Sequence, residues 1–115
     1  MKRLILDPYV TDTLLRDLAG HDRRPSAYLV YVYLWGVTGG RRGARAELSL
    51  GSLAEETGLS KRAVQVAVAH LERRKLLRIE RPAATATPVY ELLRPWRRGT
   101  VERACWEAGR QQAGD

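Results

Sequence analysis

The chain has 115 residues, enough for one small domain, and its 20 basic and 13 acidic side chains give a formal net charge of +7. Its single cysteine, Cys105, excludes an internal disulfide and a cysteine-rich metal site. No stretch approaches the roughly 18 apolar residues of a membrane span, and residues 1–8 have too short an apolar part for a signal peptide. We therefore expect a cytoplasmic protein that has no contact with a membrane and needs no cofactor or metal.

The positive charge is concentrated in one part of the sequence. Residues 41–98 contain 13 Lys or Arg against 6 Asp or Glu, and so account for the whole imbalance. A basic segment between neutral flanks is typical of a protein that binds a polyanion, usually nucleic acid. A soluble protein with a merely basic surface would give the same count.

The first predicted element is a short amphipathic helix. Asp7 and Pro8 are typical of a helix start, because the carboxylate can cap free N–H groups and proline suits the first turn. Gly20 is expected to end the helix. The residues that recur at four-residue steps and predict its buried face are Val10, Leu14 and Leu18.

The second segment, residues 26–37, is apolar on nearly every side. Its length and the following Gly39 and Gly40 favour a helix, although its β-branched and aromatic residues would also suit a strand. A helix of this kind must be covered on several sides. Either the neighbouring helices cover it or a second subunit does.

The remaining elements predict a mainly α fold with a small antiparallel β-hairpin. Residues 47–50 are compatible with a short strand, and two helices follow. Residues 76–81 and 89–93 resemble the strands of a hairpin, because the loop between them begins and ends with proline, which cannot donate to a sheet. Thr100 is expected to cap a last helix.

The two central helices carry the pattern on which the functional prediction depends. Residues 48–79 read L-S-L-G-S-L-A-E-E-T-G-L-S-K-R-A-V-Q-V-A-V-A-H-L-E-R-R-K-L-L-R-I. Ala54 is small where two helices cross, and Gly58 falls at the turn, where a left-handed backbone suits glycine. Ser60 can cap the second helix. The apolar positions expected to face the core are Leu59, Val64, Val68 and Leu71.

This pattern resembles the winged helix-turn-helix family, in the manner of GntR-type and MarR-type regulators and of related domains in plasmid replication initiators. The resemblance implies a winged helix-turn-helix over residues 47–94, supported by N-terminal helices in residues 1–46 and followed by a C-terminal helix in residues 95–115. It implies a small bacterial transcriptional regulator that binds double-stranded DNA sequence-specifically, with residues 60–75 as the recognition helix in the major groove. An ordinary helical hairpin would explain the apolar stripe but not the basic outer face.

The outer face of that second helix supplies the candidate DNA contacts. The guanidinium fork of Arg62 can pair with guanine and the amide of Gln65 with adenine, whereas Lys61 and Arg73 are better placed for phosphates. The alternative for each side chain is a solvated surface residue. The candidate contacts on this helix are Ser60, Lys61, Arg62, Gln65, Val66, Ala69 and Arg73.

The predicted hairpin departs from the family pattern. The tip of a wing often carries an Arg or Lys that reaches the minor groove, but residues 83–87 carry no positive charge. We therefore expect phosphate contacts from the basic residues on either side of the tip. These are Arg78, Arg81, Arg94, Arg97 and Arg98.

A homodimer is also expected, because a single winged helix covers few base pairs and family members commonly pair to read two half-sites. Packing of the N- and C-terminal helices within one chain would explain the same apolar residues equally well. The candidates for the interface are Tyr28, Tyr31, Trp35, Val101, Cys105 and Trp106.

An enzyme is disfavoured by the sequence. His21 and His70 are not in a metal-ligand spacing, Glu55 and Glu56 are adjacent and so diverge on a helix, and no glycine-rich phosphate loop or small-molecule site is evident. Two other functions stay open. One is a role in replication or plasmid maintenance, which would use the same DNA-binding surface. The other is a winged helix that binds protein, for which an acidic or apolar outer face is expected.

Overall fold

Four helices and three strands follow one another in residues 4–83 and 86–97, which are the residues that this computed structural model describes. A short 3-10 turn, Pro95–Arg97, ends the described chain. The elements are an N-terminal helix Val10–His21, α1 Pro25–Thr38, β1 Arg45–Glu47, α2 Leu50–Thr57, α3 Lys61–Arg73, β2 Leu77–Glu80 and β3 Val89–Leu92. The predicted class, mainly helical with a small antiparallel sheet, is confirmed. The predicted C-terminal helix lies outside the described residues.

The N-terminal helix begins as the sequence predicts. The Asp7 carboxylate accepts a hydrogen bond from the Tyr9 backbone N–H at 3.0 Å, which satisfies one of the free donors at the helix start. The backbone adopts the wider, π-type hydrogen-bonding pattern and continues through Gly20 to His21, beyond the predicted end. The predicted buried face is confirmed by Val10, Leu14 and Leu18.

Helix α1 is the central element of the core, which settles the choice between helix and strand. It packs against the N-terminal helix, α2, α3 and the sheet. The Tyr31 hydroxyl donates to the Leu93 carbonyl at 3.1 Å, and the Trp35 indole N–H donates to the Ile5 carbonyl at 3.0 Å. Both rings are buried within their own chain. The prediction that Tyr31 and Trp35 contact a second subunit is therefore wrong, because both side chains are almost completely buried by their own chain.

The sheet contains one strand more than the predicted hairpin. Its order is β1-β3-β2, with both pairings antiparallel. The strand predicted at residues 47–50 is instead β1, Arg45–Glu47. Ser49 cannot be part of it because its hydroxyl caps α2 by accepting a hydrogen bond from the Ser52 backbone N–H. The side chains on the inner face of the sheet are buried against the helices, namely Ala46, Leu77, Tyr90 and Leu92.

The turn between α2 and α3 forms as the sequence predicts. Gly58 has a φ of 75°, and the Ser60 hydroxyl accepts from the Ala63 backbone N–H at 3.0 Å. Val64 is fully buried. Helix α3 ends at Arg73 rather than Lys75, because Lys75 adopts a left-handed backbone with a φ of 60°.

The last described residues pack against the first ones. The Trp96 ring stacks on Tyr9 with 4.3 Å between ring centroids, and its indole N–H donates to Asp7 Oδ2 at 3.1 Å. The chain therefore returns after β3 to the start of the N-terminal helix.

Candidate nucleic-acid interface

One side of α3 is exposed while the other forms part of the core. The buried positions are Val64, Ala67, Val68 and Leu71. Arg62, Gln65, Ala69 and Arg73 are exposed on the opposite side, and Val66 is half-buried beside them. This division is what a period of 3.6 residues per turn predicts once Val64 points inward.

A cavity of about 340 Å³ opens along this exposed side, and we call it the α3 groove. Its walls combine cationic, amide and methyl groups, a mixture that suits the edges of base pairs. The structure thus brings together five residues that the sequence marked as candidate contacts, and it adds Arg24 to them. The lining residues are Arg24, Arg62, Gln65, Val66, Ala69 and Arg73.

Arg24 is not among the residues predicted to contact DNA. It lies in the turn between the N-terminal helix and α1, outside the segment that resembles a helix-turn-helix. The adjacent pair Arg23 and Arg24 was the only local signal. Tertiary packing, which the sequence pattern does not reveal, brings Arg24 to the α3 groove.

A second cavity, of about 170 Å³, lies between α3 and the hairpin, and we call it the α3–β2 groove. Gln65 and Ala69 line both grooves, so the exposed side of α3 is a ridge with a concavity on each side. Arg81, one of the residues predicted to contact phosphates, lines the second groove.

The start of α3 carries two further candidates. The Ser60 hydroxyl is engaged as the helix cap and is exposed. Lys61 is exposed too, and its side chain extends towards α2, where its Cε lies 3.4 Å from the position that a Cβ on Gly51 would occupy. The Lys61 ammonium is therefore near the first turn of α2 rather than over the α3 groove.

Arg78 does not belong to the surface of α3. Its neighbours in β2, Leu77 and Ile79, face the helices, so Arg78 points from the opposite face of the sheet. There its Nη2 donates to Glu91 Oε1 at 2.6 Å, and this hydrogen bond raises the pKa of Arg78. Arg45 joins the same network through Glu91. The expected phosphate contact of Arg78 is not supported, because its charge is compensated on the far face of the sheet.

Among the basic residues after β3, which were predicted to contact phosphates, Arg94 is engaged within the fold. Arg94 donates a hydrogen bond to the Gly40 carbonyl, and its guanidinium carbon lies 4.3 Å from the centre of the Trp35 ring, which is a cation–π arrangement. Arg94 therefore fastens the loop after α1 to the core. Arg97 ends the final turn, and its side chain and the whole of Arg98 lie outside the described residues.

The far end of α3 is joined to the N-terminal helix by Asp22. His70 Nε2 lies 2.8 Å from Asp22 Oδ2, Arg74 Nε lies 3.0 Å from the same oxygen, and His21 Nδ1 lies 3.0 Å from Oδ1. Burial alone would raise the pKa of Asp22, but the hydrogen bonds with both histidines and the charge of Arg74 outweigh it, and the pKa lies below its usual value. The two histidines, distant in sequence, thus share one carboxylate.

Among the described residues, the cations of the α3 groove form no ion pair with an acidic side chain, unlike several basic residues elsewhere in the fold. Within residues 4–83 and 86–97, Arg24 and Arg62 form no ion pair, whereas Arg45, Arg74 and Arg78 do. Arg73 makes only a 3.4 Å contact between its Nη2 and His70 Nδ1. The groove is therefore a local concentration of positive charge.

The remaining candidates for the dimer interface are distributed as follows. Tyr28 is half-buried, and its hydroxyl donates to the Val10 carbonyl at 3.2 Å. Val101, Cys105 and Trp106 lie outside the described residues.

Within the described ranges, no helix is both long and apolar enough to cross a membrane. No three His, Cys, Asp or Glu residues in that part of the chain are arranged to hold a metal ion. Comparison of the chain with family models, with curated proteins and with solved structures finds no match in any of the three.

Proposed function

We propose that the protein binds double-stranded DNA as a winged helix-turn-helix transcriptional regulator, with α3 as the recognition helix. The order of elements supports this: α2 and α3 meet at a glycine turn, and the β2–β3 hairpin follows directly, with β1 as the third strand. The observation that carries the proposal is the α3 groove. Arg62 and Gln65 line it and are exposed, and among the described residues Arg62 forms no ion pair and Gln65 no side-chain hydrogen bond.

The side chains of the groove match the chemistry of a duplex. The major groove, roughly 12 Å wide, admits a helix, and its base edges present acceptors on guanine, a donor–acceptor pair on adenine and a methyl group on thymine. Arg62 pairs with guanine, Gln65 with adenine, and the methyl groups of Val66 and Ala69 contact thymine. Each good bidentate pair contributes about 1–3 kcal/mol of discrimination.

The remaining basic residues position the duplex. Arg73 at the end of α3 and Arg81 in the α3–β2 groove contact phosphates, which orient the protein without reading sequence. Lys61 contributes charge near the first turns of α2 and α3. Arg78 and Arg94 are left out of this set because they are engaged elsewhere in the fold.

A protein-binding role is the less favoured alternative. An acidic or apolar outer face would be expected for it, whereas the α3 groove contains Arg24, Arg62 and Arg73. A role in replication or plasmid maintenance would bind DNA through the same surface and would differ only in the biological process served.

The experiment that tests the proposal is a binding titration of the full chain at several salt concentrations. The ligands are a random-sequence duplex and the preferred duplex selected from a randomised library. We expect the logarithm of the affinity to fall with the logarithm of salt concentration by about 0.9 for each phosphate contact. Arg62→Ala should weaken binding to the preferred duplex by about 5- to 150-fold, which corresponds to 1–3 kcal/mol, and should blur its sequence preference.

The matched control is Arg42→Ala. Arg42 is also exposed, but it lines a different cavity, with Gly43 and residues 91–94. Its loss removes the same charge from the chain and should leave sequence preference unchanged. If wild-type protein binds no duplex at low salt, or if the two variants behave alike, the proposal is wrong.

A further inference from the structure

The turn before α1 is held in one conformation by its backbone. Arg23 adopts a left-handed backbone with a φ of 55°, which is uncommon for a residue with a side chain. The Arg24 N–H donates to the Leu18 carbonyl at 2.7 Å, and the Arg24 carbonyl accepts from the Ala27 N–H at 3.0 Å. Arg24 therefore stands at a fixed point between the two helices and is the N-cap residue of α1.

The same turn is fastened to α3. Asp22 is bound by His70 at 2.8 Å and by Arg74 at 3.0 Å, and its side chain is only 10% exposed. Helix α1, which begins next to Arg24, also packs along α3. These contacts fix the position of the turn relative to the recognition helix.

The result is a third guanidinium group at the α3 groove. Arg24 lines this cavity together with Arg62 and Arg73, whereas Arg81 lines the groove on the other side of α3. Cations gathered around one concavity repel one another and attract an anion of extended shape. Since Asp22 is already engaged with His70 and Arg74, it does not serve as the partner of Arg24 within the described residues.

From this arrangement we infer that Arg24 contacts a DNA phosphate, so that the DNA-binding surface includes the turn between the N-terminal helix and α1. The inference rests on the proposed function and extends it beyond the helix-turn-helix. A helix that enters the major groove has a phosphate backbone on each side. Arg24 faces one backbone and Arg81 the other, while Arg62 and Gln65 lie between them. A phosphate is favoured over a base because Arg24 comes from a neighbouring element at the edge of the recognition surface.

Three variants of the full chain test this inference. Arg24→Ala removes the contact, and Arg24→Lys keeps a charge that can reach a phosphate. Arg23→Gly is the matched control, because Arg23 is the exposed neighbour, its left-handed backbone suits glycine, and it does not line the groove. Thermal melting should show that all three variants fold, since Arg24 is exposed and its contacts in the turn are made by the backbone.

We expect Arg24→Ala to reduce the salt-dependence slope by about 0.9, which corresponds to about an eightfold loss of affinity at ~0.1 M salt. The loss should be equal for the random and the selected duplex, because a phosphate carries no sequence information. Arg24→Lys should keep most of the slope, and Arg23→Gly should keep nearly all of it.

The outcomes separate this inference from the proposed function. If wild-type protein binds duplex DNA and Arg62→Ala weakens that binding, but Arg24→Ala matches Arg23→Gly, the inference alone is wrong. A variant Arg24→Ala that changes sequence preference with an unchanged slope also overturns it, because Arg24 would then read a base. If wild-type protein binds no duplex, both the proposed function and the inference about Arg24 are wrong.

Discussion

His70 Nε2 lies 2.8 Å from Asp22 Oδ2, and this contact joins the last turn of the proposed recognition helix to the end of the N-terminal helix. Arg74, from the residue that follows α3, reaches the same carboxylate oxygen at 3.0 Å. Asp22 immediately precedes Arg23 and Arg24. Its carboxylate therefore holds the turn between the N-terminal helix and α1 against α3, and so helps to set the position of Arg24 in the α3 groove.

Asp22 should contribute stability that depends on pH. Its pKa is lowered from 3.8 in the folded protein, although burial opposes this, because the hydrogen bonds with His21 and His70 and the charge of Arg74 favour the ionised form. A group with a lowered folded pKa stabilises the fold fully above its unfolded pKa, and this stabilisation is lost as the pH falls through the folded pKa. Asp22→Asn should therefore lower the free energy of unfolding by about 1–2 kcal/mol at pH 6.

Denaturant titrations of wild type and Asp22→Asn between pH 2 and pH 6 measure this effect. The difference between the two proteins should shrink as the pH falls below about 3.8. A difference that stays constant down to pH 2 would mean that Asp22 acts through shape rather than charge. Glu47→Gln, a change at an exposed position in β1 that forms no ion pair with the described residues, is the control and should have little effect at any pH.

Ser60 allows stability and DNA binding to be separated. Its hydroxyl caps α3 by accepting from the Ala63 N–H at 3.0 Å. Ser60→Ala should lower the free energy of unfolding by about 1 kcal/mol, whereas Ser60→Asp keeps a cap and places a negative charge favourably at a helix start. In the proposed complex, that same charge faces phosphates and should reduce affinity on the order of tenfold.

Thermal melts and salt titrations of the two Ser60 variants provide the check. We expect Ser60→Ala to be the less stable variant but to bind DNA well, and Ser60→Asp to be stable but to bind DNA poorly. If Ser60→Asp binds duplex DNA as tightly as wild type, the start of α3 does not approach phosphates.

Two buried tyrosines should respond oppositely to loss of their hydroxyl groups. Tyr31 donates to the Leu93 carbonyl, whereas the buried Tyr90 hydroxyl makes no hydrogen bond with any described residue. Tyr31→Phe leaves a carbonyl without its partner and should cost about 1 kcal/mol. Tyr90→Phe removes a polar group whose burial is not compensated, and should leave stability unchanged or raise it by about 1 kcal/mol.

Urea unfolding of the two phenylalanine variants measures both changes in one assay. The change is the loss of a single oxygen in each case, so differences in packing largely cancel. A larger loss of stability in Tyr90→Phe than in Tyr31→Phe would contradict the hydrogen-bonding pattern described above.

The parts of the fold that the sequence predicted are those set by local chemistry. Gly58 and Ser60 fix the turn between α2 and α3 by backbone conformation and capping, and four-residue spacing marked the buried side of the N-terminal helix. Local signals also explain two errors at element ends. Ser49 is a helix cap, which displaces the first strand towards the N-terminus, and Lys75 takes a left-handed backbone that ends α3 early.

The parts that the sequence did not predict depend on contacts between distant segments. An apolar segment such as residues 26–37 looks the same whether its own chain or a second subunit covers it, and only the folded chain shows that Trp35 donates to the Ile5 carbonyl. Arg24 reaches the α3 groove through the packing of three helices, for which no short motif exists. The alternation of side chains along β2 could have placed Arg78 and Leu77 on opposite faces of the sheet. The ion pair between Arg78 and Glu91, however, depends on the register of β2 with β3, which the sequence does not reveal.

Arg78 and Arg81 should differ in their effect on DNA binding, although they are three positions apart and were expected to act alike. Arg81 lines the α3–β2 groove with Gln65, whereas Arg78 donates to Glu91 at 2.6 Å on the other face of the sheet. Arg81→Ala should reduce the salt-dependence slope by about 0.9, as loss of one phosphate contact requires. Arg78→Ala removes an equal charge but leaves Glu91 beside Arg45, so it should change the slope little. Salt titrations of both variants against the same duplex decide the matter: equal losses would show that DNA binding depends on total charge, and a larger loss for Arg78→Ala would place the duplex on the outer face of the sheet.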